Sequence, residues 1–71
     1  MKNLFTAFVE KGEEFLLATC PEVPEAAGQG ITREAALRDL AGSIQSVLEY
    51  RREEALSRLA AGVERTVVEV P

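Results

Sequence analysis

The sequence predicts an α+β domain of order β-β-β-α-β, with a four-stranded mixed sheet covered on one face by one long helix. Three observations carry that reading. Two short runs rich in aromatic and β-branched residues flank Gly12, a long apolar stripe at helical spacing follows Thr32, and a last run, Arg65 to Val70, is strand-like again.

Residues 4–10 and 14–20 are each too short for a convincing helix, and Lys11-Gly12-Glu13 between them supplies a turn in which Gly12 can take a positive φ. They read as a hairpin. Pro21 and Pro24 stop the second run, because proline has no N–H to give to a ladder. Ala27 to Ile31, with Gly28 and Gly30, reads as a short third strand weakened by its glycines. Thr32 then caps a helix, and Glu34 stands where the helix dipole favours an anion. Ala36, Leu37, Leu40, Ala41, Ile44, Val47 and Leu48 form a broad stripe opposite Arg33, Arg38, Asp39, Gln45 and Glu49, and Ala55, Leu56, Leu59 and Ala60 continue it. Gly62 is placed to end the helix as its C′ residue. A helix over residues 33–60 is about 42 Å long at 1.5 Å per residue. A seven-residue strand covers only about 23 Å, so the last helical turns overhang the sheet. Residues 65–70 close the sheet, and Pro71 follows them.

Seventy-one residues, 46% hydrophobic and 28% charged, describe one small globular domain over residues 1–71 rather than a disordered tail. A net charge of −4 with dispersed basic residues argues against contact with phosphate backbones, so no direct nucleic-acid partner is expected. The absence of histidine excludes Ser-His-Asp and Cys-His catalysis and every metal site that needs an imidazole. A lone cysteine, Cys20, allows no internal disulfide. No stretch approaches the roughly 18 apolar residues that span a bilayer, and the N-terminus has no signal-peptide core. A cytoplasmic protein with no membrane partner and no cofactor is expected.

A core this small is marginal, since ordering costs of about 1.5 kcal/mol per residue nearly cancel what burial supplies. Self-association is the remaining source of stability. The alternation of the hairpin points the same way: Leu4, Thr6 and Phe8 share a face with Phe15, Leu17 and Thr19, while Phe5, Ala7 and Val9 share the other with Leu16, Ala18 and Cys20. Both faces are largely apolar, and one helix covers only one of them. Phe5, Phe8, Phe15 and Leu17, with Leu40 and Ile44 of the helix, are therefore the expected core or oligomer faces, and a second copy is an expected partner in a dimer or higher homo-oligomer.

With the elements placed, a family resemblance is visible. Glu10-Lys11-Gly12 closes the first run, Ala18-Thr19-Cys20-Pro21-Glu22-Val23-Pro24 the second, and Gln29-Gly30 precedes a helix that opens Thr32-Arg33-Glu34-Ala35-Ala36-Leu37, with Leu40 following. In this order the motifs resemble the HicB-like family, the antitoxin halves of HicA–HicB toxin–antitoxin systems and their stand-alone relatives. Two positions depart from the family pattern: Glu25 stands where glycine usually follows the second turn proline, and Ile31 where a polar residue usually precedes the threonine cap. The resemblance implies a partial RNase H-like, toxin-binding domain without the C-terminal DNA-binding module, and it implies no catalysis. The function expected from it is to bind and occlude a small, basic, HicA-like RNA-cleaving toxin. An orphan homo-oligomeric module without a toxin is the alternative, and a metal-dependent nuclease of RNase H type a distant one.

A nuclease would need clustered carboxylates to hold metal ions. Glu10, Glu13, Glu14 and Glu22 are the candidates near the sheet, but Glu13 and Glu14 are adjacent and point to opposite faces of a strand, and no aspartate lies on any expected strand. They read as solvated turn charges. Cys20 ends a strand beside Pro21 and Glu22, with no cation to activate it, and reads as a small hydrophobe. Gly28-Gln29-Gly30 lacks the spacing and the lysine of a phosphate loop and reads as a tight strand-to-helix connection. Arg51-Arg52, followed at once by Glu53-Glu54, reads as a solvated helix face. Glu13, Glu22 and Glu25, all in loops, are the residues expected to meet the basic residues of a toxin by charge complementarity.

Overall fold

Two turns decide how much of this chain pairs as a sheet. A computed structural model describes residues 4–58 and 61–71. At one end the Gly12 N–H donates to the Phe15 carbonyl at 2.9 Å, closing the turn early and leaving Phe15 outside the second strand. A Cβ on Gly12 would stand 2.7 Å from that same oxygen, so the turn needs glycine for space. The positive φ expected of Gly12 is not found: among the described residues only Gly62 has one, 87°. At the other end two successive turns, Val23 N–H to the Cys20 carbonyl (3.2 Å) and Ala26 N–H to the Val23 carbonyl (3.0 Å), carry the chain away at Pro21. Four residues remain on each strand: β1 Phe8–Lys11, β2 Leu16–Thr19 and β3 Ala27–Gly30.

These pair as an antiparallel sheet in the order β1-β2-β3, with Val9 opposite Ala18 and Ala18 opposite Gly28. The four-stranded mixed sheet is thereby corrected to a three-stranded antiparallel one. Residues 4–7 lie before β1, because Phe8 pairs with Thr19 and the partner strand ends there. Residues 65–70 form no strand, although valine-rich, since β propensity is realised only against a partner strand.

The helix α1, Arg33–Ser57, starts where the sequence places it. The Thr32 hydroxyl accepts from the Ala35 N–H at 3.1 Å, and Glu34 sits in the first turn. It ends at Ser57 with Arg58 as its C-cap, so Gly62 is not its C′ residue. The expected continuation through Leu59 and Ala60 falls on residues outside those described.

The helix lies on the face that carries Val9, Leu16, Ala18, Gly28 and Gly30, and the glycines determine how close it comes. A Cβ at Gly28 would meet the backbone of Leu40 and stand 2.6 Å from the Ala36 carbonyl oxygen; one at Gly30 would stand 2.7 Å from the Ala36 nitrogen. Backbone therefore packs on backbone, and small side chains, Ala18, Cys20, Val23, Ala26 and Ala36, make up the core with Leu40 and Ile44; Leu16, Leu37 and Val47 pack against it. At this distance short side chains of α1 also reach β3. Asp39 Oδ2 accepts from the Gln29 N–H (3.0 Å) and Ser43 Oγ from the Ala27 N–H (3.2 Å), satisfying amides that an edge strand otherwise leaves open. No helix among the described residues is long and apolar enough to cross a membrane.

Two substitutions separate glycines that differ in surroundings. Gly28→Ala has to displace helix backbone rather than a side chain, so it should cost at least the ~3 kcal/mol at the upper end of overpacking penalties. Gly42, within α1 and with nothing near its would-be Cβ, should gain about 0.5–1 kcal/mol on replacement by alanine. Urea titrations of the two variants check both signs. Leu40→Asp or Ile44→Asp places an unpartnered carboxylate in the core and should abolish the helical circular dichroism.

Candidate functional site

With no strand opposite them, the residues before β1 are held by a side chain. Glu22, in the β2–β3 loop, accepts from the Thr6 N–H through both carboxylate oxygens (3.0 and 3.2 Å) and from the Thr6 hydroxyl (2.8 Å). The Cys20 thiol donates to the same carboxylate at 3.3 Å. The Thr6 hydroxyl is the main reason that the Glu22 carboxyl sits below its ordinary range; desolvation opposes this, and the thiol and backbone donors add to it.

With Thr6 tied down, Phe5 and Ala7 face Leu37, Leu40, Ala41, Ile44 and Leu48 across an open groove of about 460 Å³. Its polar rim is Gln45 and Glu49. The groove exists because α1 packs closest to β3, at the far side of the sheet, and covers β1 only lightly. Phe5 is 39% exposed, in keeping with a groove wall rather than a core residue.

Glu25, in the same loop as Glu22, pairs with the Arg51 guanidinium, which holds its carboxyl below the usual range and ties the loop to α1. Glu13 lies in the β1–β2 turn, at the opposite end of the sheet. Of the three loop glutamates expected to meet a toxin, Glu13 thus lies apart from the other two, and Glu22 and Glu25 are engaged within the chain. Among the described residues Glu10, Glu13 and Glu14, around the hairpin tip, are in no ion pair.

The remaining candidates are also placed. Cys20 is buried in the core with its thiol on Glu22. Gly28 and Gly30 face helix backbone, so they form no cradle for a phosphate. Arg51 is engaged with Glu25. Phe8 (59% exposed) lies on the uncovered face of the sheet with half-buried Leu17, Phe15 lies exposed in the turn, and Leu40 and Ile44 lie in the core. Among the described residues no group of three or more Cys, Asp and Glu side chains is gathered where it could hold a metal ion. Thr6, Asp39 and Ser43 are the polar residues that sequence reading overlooked. Asp39 and Ser43 stand four apart on one flank of the apolar stripe, a spacing that could have marked them as partners of an adjacent strand.

No family model, no curated protein and no solved structure matches the chain.

The Glu22 clamp should respond to acid. Its carboxyl is depressed in the folded state, so its stabilising contribution is complete above the unfolded value, about 4.3 for glutamate, and is lost as pH falls through the lower folded value. The protection factor of the Thr6 amide, its exchange measured against an unstructured chain at the same pH, should therefore fall as the solution is acidified through the carboxylate range, and Glu22→Gln should lower it at neutral pH while the core amides of β2 stay protected.

Proposed function

We propose that this chain is a non-catalytic protein–protein interaction domain of the HicB antitoxin type, which binds a small basic RNA-cleaving toxin and inhibits it by occlusion. The toxin-directed part of the reading is supported by the ordered motifs around Gly12, Pro21-Glu22-Val23-Pro24 and Thr32-Arg33-Glu34. The observation that carries the interaction reading is the distribution of chemistry. Among the described residues no charged side chain is buried, the carboxylates are dispersed along the surface, and a marked concavity is apolar. Such a surface suits a polypeptide partner better than a small molecule that needs convergent polar groups.

The electrostatic element that meets a basic partner moves to the hairpin tip. Glu22 and Glu25 hold the chain's own loop, whereas Glu10 near the end of β1 and Glu13 and Glu14 in the turn are, among the described residues, in no ion pair. Charges of this kind set association rate and salt dependence more than final affinity. Glu13→Lys/Glu14→Lys should slow association with a small basic protein encoded beside this chain by about tenfold at low salt, with a much smaller effect near 150 mM. The check is binding kinetics at two ionic strengths. An unchanged rate in the double variant would remove the hairpin tip from the interface, and no binding of such a neighbour at micromolar concentration would overturn the toxin reading.

A further inference from the structure

The groove beside β1 and the C-terminal tail are complementary, and within one chain they stay apart. Residues 61–71 are exposed throughout, with Val67 at 90%, Val68 at 84% and Val70 at 65% exposure, and they pair with no strand. We propose that the tail of one chain lies in the groove of a second copy, with each copy keeping its own three-stranded sheet. This does not rest on the antitoxin reading.

Length, patterning and charge fit this occupant. Leu37 and Leu48 mark the ends of the groove on α1, eleven residues or about 17 Å apart at 1.5 Å per residue. Residues 65–70 in extended form cover about 20 Å. In an extended segment Thr66, Val68 and Val70 share one side, giving a nearly continuous apolar ridge for a trough walled by Phe5, Ala41 and Leu48. Charge then selects a direction. β1 runs parallel to β3, since both are antiparallel to β2, and α1 runs back along β3 from the Gly30–Ala36 approach to the Glu25–Arg51 pair. The Phe5 end of the groove is therefore its Leu48–Glu49 end. A tail running in the direction of β1 brings Arg65 to Glu49, whereas the reverse direction brings Glu69 there.

In the single chain the tail stands clear of the groove. The helix continues nine residues past Leu48, about 14 Å beyond the groove, before the tail begins. The radius of gyration is 16.0 Å, against about 11 Å for a compact domain of this length. Two copies related by a two-fold axis fill both grooves with both tails at once, which closes the assembly as a dimer.

Light scattering on the full chain at micromolar concentration should give about twice the 7.7 kDa chain mass. Val67→Lys/Val68→Lys alters only exposed tail positions, so it should halve that mass and leave the helical circular dichroism unchanged. Ala41→Cys/Val68→Cys, oxidised, places one thiol on the groove and one on the tail, and most of the protein should run as a covalent dimer on a non-reducing gel. A monomeric wild type, a dimer indifferent to the tail substitutions, or a crosslink formed only within single chains would each overturn the proposal.

Discussion

The approach of α1 to β3 at Gly28 and Gly30 governs the rest of the molecule. Because neither glycine has a Cβ, helix backbone rests on strand backbone, and only small side chains fit around the contact: Ala18 beside Gly28 on the sheet, Ala36 above it on the helix. The same closeness brings Asp39 and Ser43 within hydrogen-bonding range of the β3 amides, so that edge of the sheet is capped by the helix that covers it. A helix drawn to one side of a narrow sheet covers the other side less. The groove between Phe5, Ala7 and α1 is what that asymmetry leaves behind.

Much of this architecture was legible in the residues, and the parts that were not have a common cause. The hairpin around Gly12, the stop at Pro21, the Thr32 cap and the stripe through Leu40 and Ile44 are local signals, set by a few neighbouring residues each, and they stand. The strands are shorter than their residues suggest because the limit on β1 is set by its partner: once Cys20-Pro21 turns away, no residue before Phe8 has a ladder to join. Gly28 and Gly30 looked like a weakness in a strand, since sequence alone does not reveal that a helix will come to rest on them. The expected last strand failed for a similar reason. Val67 and Val68 have the propensity, but propensity does not supply an edge.

The candidate site was less legible than the fold. That Glu22 and Glu25 are acidic and in a loop is visible in the sequence; that they hold Thr6 and Arg51 is not, because those partners lie 16 and 26 residues away. Among the described residues Glu10, Glu13 and Glu14 stand without ion pairs around the β1–β2 turn, while the apolar groove opens at the other end of β1 beside Phe5. A charged surface and an apolar one are thereby separated along one short strand. A basic partner and a second copy could occupy the domain without competing for the same residues.

The small size of the core side chains also shapes how the fold responds to temperature. Three of the seven core residues are alanine, and the glycines beside them bring peptide groups, not hydrocarbon, into contact. Unfolding therefore exposes less apolar surface, for the backbone it releases, than a core of larger side chains would, which lowers the heat-capacity increment. A small increment flattens the curve of free energy against temperature. The isolated domain is thus built for a shallow, broad stability profile, with little height at its maximum and little to lose on cooling.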